Sequence, residues 1–121
     1  HDAAKTIELT PFPENDYSDA GQFLGHIVIG VEMVDDKLRN LPDFPEHLAN
    51  EIKHCILAHH GEFEFGSPKK PDIAEAIALN LADNSDSRME IMKEVMQNAG
   101  ENTAWLGYNK LLESNLKKTT I

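Results

Sequence analysis

The sequence holds a single cysteine, Cys55, in 121 residues. That excludes an intramolecular disulfide framework and suits a reducing compartment, so a cytoplasmic location is expected. Long apolar runs are missing too. Nothing approaches the roughly 18 residues that a membrane span needs, and no signal-peptide pattern is found. Positive charge is scarce: 11 Lys and Arg stand against 21 Asp and Glu, a formal net charge of −10. A protein that grips a long nucleic acid by its phosphates needs a basic surface, which this chain does not have. Most of the acids serve solubility, although a carboxylate cluster can also attract cations. Internal repeats and low-complexity tracts are absent. With 40% hydrophobic residues, the length fits one domain, residues 1–121, around one core.

What is present is helical punctuation. Residues 1–7 read as the tail of a helix that starts upstream. Thr10 to Asp19 is a loop, with Pro11, Pro13 and the Glu14-Asn15-Asp16 cluster. From about Ala20 to Leu38 a helix is expected, because Phe23, Ile27, Val31, Val34 and Leu38 recur at three- and four-residue steps. A turn over Asn40–Pro45 follows. The next helix runs from about Pro45, in its first turn, to His60, with Leu48, Ile52, Ile56 and His59 along one stripe. Gly66, Pro68 and Pro71 interrupt the stretch Gly61–Pro71. A long helix is expected from about Asp72, its cap, to Asn98, and Gly100 ends it. The tail from Glu101 fits neither period. The expectation is an all-α bundle with a less regular C-terminal tail and no substantial sheet.

Of six histidines, four fall in patterns. His1 precedes Asp2 in His1-Asp2-Ala3-Ala4-Lys5, His26 follows Gly25 on a helix, and His59-His60 stand at a helix end before Gly61. His47 and His54 carry no pattern and read as surface residues. A lone histidine on a helix is ordinarily a packed or solvated side chain; the joint occurrence carries the signal. Imidazoles with carboxylates suit Mn, Fe, Co, Ni or Zn, and two such ions can share a carboxylate. Helix ends hold ligands still while leaving a coordination position open. Cys55 falls between apolar neighbours in mid-helix and reads as core packing.

His1-Asp2-Ala3-Ala4-Lys5 resembles the His-Asp-x-x-Lys motif of HD-domain metal-dependent phosphohydrolases, and Gly25-His26-Ile27, His59-His60-Gly61 and Ala82-Asp83-Asn84-Ser85-Asp86 follow in that superfamily's order. Gly21 to Gly30 and His59 to Pro68 are similar to stretches of the YhaM-type 3′→5′ exoribonucleases, which join an OB-fold module to an HD domain. The resemblance implies a helical HD-domain bundle. Asp2 would bridge two divalent ions, His1 and Asp83 would complete the first site, and His26, His59 and His60 the second. Lys5 would act beside Asp2 and contact phosphate, as would Arg88. The superfamily's further upstream histidine and the OB-fold have no counterpart in these residues. The expectation is therefore an N-terminally incomplete domain whose first metal site is weak and whose isolated activity is low. Implied substrates are the end of a single-stranded RNA or DNA, cleaved as a phosphodiester. The alternatives are nucleotides or other small phosphate esters, or a degenerate HD domain without turnover. The metal's identity and any oligomeric state stay open.

Overall fold

The structure is a computed structural model and describes residues 1–101 and 104–119. The expected irregular tail at positions 102–103 and 120–121 lies outside the described residues. Among the described residues, four α-helices, one short 3-10 segment and one antiparallel strand pair make up the regular structure, so the chain is helical, as its periodicity requires. Among the described residues no helix is long and apolar enough to cross a membrane. Contacts divide the chain into two compact units, 1–80 and 81–121.

In the first unit, α1 (Lys5–Glu8) is a single turn. Residues 1–2 are not helical, which corrects the expectation of a helix tail there: the turn starts after Asp2, whose carbonyl accepts from the Lys5 N–H. Leu9 and Tyr17 then pair in a short bridge that closes the expected loop. Ser18 caps α2 (Asp19–Leu38) by accepting from the Gly21 N–H, and its hydroxyl also donates to the Ile7 carbonyl, which fastens α1 to α2. α2 is not one straight helix. Gly25 sits at φ 72°, ψ 161° and breaks it. The break resets the helical phase, so Phe23, expected on the apolar stripe, is 86% exposed while Ile27 and Ile29 are buried.

α3 (Glu46–Ala58) starts one residue after Pro45 and ends at His59. Leu48 and Ile52, expected on its buried stripe, are exposed, and Ala49, Ala58 and His59 are the buried positions. The last carbonyls of α3 lie beyond the reach of intrahelical N–H groups. Each finds a donor: Ile56 from the His59 ring, Leu57 from Ser67 Oγ, Ala58 from the Gly61 N–H, and His59 from Asn80 Nδ2. Gly61, at φ 81°, makes the turn, and a Cβ there would stand 2.6 Å from Asn80 Nδ2. A one-turn 3-10 segment, Phe63–Phe65, follows.

α4 (Ala74–Asn98) runs from the first unit into the second. The Ile77 N–H bonds to Ile73, so Ile73 and not Asp72 occupies the cap position. Asp72 is held one residue too early: its N–H donates to His54 Nε2 at 2.9 Å, which gives the patternless His54 a structural role. In the second unit the tail forms β1 (Trp105–Asn109) and β2 (Ser114–Lys117). Trp105 pairs with Lys117 and Tyr108 with Asn115, with an irregularity between Trp105 and Gly107. That bulge explains why no two-residue period was visible in the sequence.

Candidate metal centre

Three segments of the first unit bring imidazoles to one carboxylate. Gly25 ends one helical segment and places His26 at the start of the next. His59 and His60 terminate α3, and Asp2 precedes α1. His26 Nε2 and His59 Nε2 are 3.4 Å apart. Asp2 Oδ1 lies 3.6 Å from His26 Nε2 and 3.7 Å from His59 Nε2. His26, His59 and His60 each offer a ligand atom within 4.8 Å of the others. His1 Nε2 stands 3.5 Å from Asp2 Oδ2, and the His1 ring is 4.8 Å from that of His59.

Each of the three inner rings is held through its other nitrogen. His59 Nδ1 donates to the Ile56 carbonyl at 2.6 Å, and His60 Nδ1 donates to the Phe65 carbonyl at 2.8 Å. A carbonyl only accepts, so the proton sits on Nδ1 and a neutral ring keeps its lone pair on Nε2. Glu8 Oε1 does the same for His26, accepting from Nδ1 at 3.1 Å and from the His26 backbone N–H at 3.0 Å. That backbone N–H is available because the Gly25 break makes it the start of a helical segment, where a carboxylate is also favoured by the helix dipole.

The donor set fits a divalent cation. Asp2 Oδ1 is buried and, among the described residues, accepts no hydrogen bond. It faces nitrogens whose lone pairs point at one another, an arrangement that repels unless something positive lies between. Donors around a four-coordinate ion with bonds of about 2.0–2.2 Å stand about 3.3–3.6 Å apart. The observed edges of 3.4 and 3.6 Å fall in that span, and the third, 3.7 Å, lies just above it.

Charge states favour ligation. Burial raises the Asp2 carboxyl, but the hydrogen bond and charge of Lys5, then His26 and His59, outweigh it, and the net shift is downward. His59 is pushed below its ordinary value chiefly by burial, against the opposing bond to Ile56. Both groups are thus held in the form a metal needs. For stability the signs agree. A His59 that folds neutral adds no penalty above its unfolded value of about 6.5, and one that grows as pH falls below it. The metal-free chain in EDTA is therefore expected to melt at a lower temperature at pH 5.5 than at pH 7.5. Equal melting temperatures would show that the buried ring protonates without cost.

Sequence reading did not find Glu8. It is 8% exposed, and its only signal was an acid following the His-Asp-x-x-Lys run. Outer partners of metal ligands typically govern affinity by ten- to a hundredfold. Glu8→Gln keeps an acceptor but loses the charge, and Mn²⁺ binding by calorimetry is expected to weaken by about tenfold. Unchanged affinity would mean that the His26 ring is positioned without Glu8.

The other expected residues are placed as follows. Lys5 Nζ bonds Asp2 Oδ2 at 2.7 Å and is half exposed. Asp83, partly buried, and Arg88, exposed, lie on α4 in the second unit, just beyond Asn80, the donor to His59. Cys55 is partly buried on α3, and burial, with Glu75 and Glu51, pushes its thiol up, so it is not a primed nucleophile.

The description HD domain matches residues 1–88. The chain is 35% identical over 97 residues to the 3′-5′ exoribonuclease YhaM of Geobacillus sp. (strain WCH70), covering 80% of this chain and 30% of that protein. The YhaM of Halalkalibacterium halodurans is 36% identical over the same shares. That of Listeria innocua serovar 6a is 37% identical over 80% of this chain and 31% of its own length. The chain thus spans about 30% of the length of these curated relatives. No solved structure matches it significantly. A match over residues 1–88 that contains Asp2, His26, His59, His60 and Asp83 settles the kinship: this chain belongs to the HD-domain family.

Proposed function

We propose that the chain is the catalytic part of a metal-dependent phosphodiesterase that removes nucleotides from the 3′ end of single-stranded RNA or DNA. The observation that carries this reading is the clustering of His26, His59 and His60, with the buried Asp2 Oδ1 facing His26 and His59 and accepting no hydrogen bond among the described residues. The names of the relatives supply the substrate class. Their greater length leaves the holding of the strand, by a module such as an OB-fold, to regions outside these residues. The chemistry proceeds in the cytoplasm.

In this reading Asp2 would serve two ions, His1 and Asp83 would help hold one, and His26, His59 and His60 would hold the other. When bound, divalent Mn, Fe, Co, Ni or Zn ions lower the pKa of water and neutralise charge on the phosphoryl oxygens. The protein's own groups do the rest. The imidazoles are fixed in orientation, because each Nδ1 proton is committed to Glu8 or a carbonyl, which directs Nε2 into the site. Asp2 or Asp83 orients the attacking water. Lys5, ion-paired to Asp2, presents a cation to a phosphoryl oxygen, and Arg88 serves the same end. Preformed donors and charges of this kind need no reorganisation as the transition state forms.

The test loads the chain with Mn²⁺, measures bound metal by mass spectrometry, and offers a 5′-labelled single-stranded oligonucleotide beside a nucleotide panel. Slow stepwise shortening from the 3′ end, stopped by EDTA and far below what a chain with its strand-holding module would reach, is the expected result. Turnover of nucleotides alone would instead favour a small-ester hydrolase, a reading supported by the net charge of −10. Bound metal with no turnover of either substrate would mark a non-catalytic HD domain.

A further inference from the structure

Beside the histidines lies a cleft whose apolar walls the metal chemistry does not use. Its volume is about 380 Å³, within the range of roughly 300–1,000 Å³ common to small-molecule sites. Leu24, Val28, Phe65 and Pro68 give it apolar walls, and His26 and His60 give it an edge on the metal centre. Leu24 is 47% exposed, Val28 41% and Phe65 64%. Apolar groups are thus left in solvent next to the reacting position. Glu8 also borders the cleft, while no lysine or arginine among the described residues does. A phosphate would gain nothing there and would meet a carboxylate. Such a lining suits an uncharged, largely apolar group.

We propose that this cleft is a nucleobase pocket, with Phe65 stacking on the base of the nucleotide whose phosphate lies at the histidines. The proposal rests on the phosphodiesterase reading above. Two elements create the pocket. Leu24 and Val28 flank the Gly25 break, and Phe65 precedes the turn at Gly66, φ 86°. Phe65 has a divided role that makes the idea testable. Its backbone carbonyl anchors the His60 ring at 2.8 Å, while its side chain lines the cleft. Changing the side chain leaves the carbonyl in place. Stacking tolerates any base, since each has a π-face, so the pocket would detect that a base is present and would not select which one.

The test uses the whole chain with Mn²⁺ and a 5′-fluorescein single-stranded oligonucleotide whose last linkage is a phosphorothioate. The oligonucleotide ends in either a natural or an abasic 3′ residue. By anisotropy, the natural end is expected to bind about tenfold more tightly, in the range of one base–aromatic stack. Phe65→Ala should reduce binding of the natural end to the abasic value, Phe65→Trp should keep the preference, and both should bind Mn²⁺ as the parent chain does. As competitors, a nucleoside 5′-monophosphate should outperform ribose 5-phosphate by a similar factor, which identifies the base as the feature read in a free nucleotide as well. Equal binding of natural and abasic ends overturns the pocket. So does a Phe65→Ala variant that loses Mn²⁺ affinity in proportion, because Phe65 would then act only through His60. Hydrolysis of bis(p-nitrophenyl) phosphate scores the parent reading separately: it fails if the Mn²⁺-loaded chain does not cleave this diester, whichever way the oligonucleotides bind.

Discussion

Asp2→Ala is expected to weaken Mn²⁺ binding by more than about a hundredfold and to reduce phosphodiester cleavage to background. Removing an outer partner of a metal ligand commonly costs ten- to a hundredfold, and loss of the carboxylate proposed to bridge two ions lies above that range. The variant also leaves the lone pairs of His26 Nε2 and His59 Nε2 opposed at 3.4 Å without the negative charge that would draw in a cation. Lys5 loses its partner as well. Folding is expected to survive, since Asp2 precedes α1 and its carbonyl, not its side chain, starts the turn. Calorimetric titration with Mn²⁺ and circular dichroism separate the two effects. A variant that binds Mn²⁺ as tightly as the parent would place the metal on other residues.

Gly25→Ala is expected to affect both stability and metal binding. A φ of 72° with ψ of 161° belongs to a region essentially confined to glycine, and forcing another residue there costs about 1–3 kcal/mol. For a chain of this size that corresponds to a fall in melting temperature of roughly 4–12 °C. The alternative open to the variant is to heal the break and continue α2 as one helix. The His26 N–H would then be drawn into the helix, its bond to Glu8 would be lost, and the ring would turn away from His59. Either route weakens Mn²⁺ binding. A variant with unchanged melting temperature and unchanged affinity would show that the break is incidental to the site.

Much of this protein was legible in order and period alone. Three long helices are written in apolar residues at helical spacing and in Pro and Gly punctuation, because each helix buries one face and must stop where the backbone cannot continue. The candidate ligands were legible as residue types: His1-Asp2, His26 after a glycine, His59-His60 at a helix end, and Asp83 far along the chain. Family membership follows from those motifs taken together. Other features had no local signature. The stripe containing Phe23 looked continuous with Ile27, and only the conformation of Gly25 divided it, because one residue's dihedral angles reset the direction of every side chain after it. Glu8 was one acid among 21 acidic residues until the fold buried it against His26. The carbonyls of Ile56 and Phe65 that lock His59 and His60 could not be read at all, since every residue has a carbonyl. The tail's strands were hidden by a bulge that broke their alternation. The sequence by itself determined which groups could bind a metal and on which helices they ride. Tertiary structure decided where their lone pairs point, because ring orientation depends on hydrogen bonds to a buried carboxylate and to backbone atoms that come close only once the chain has folded.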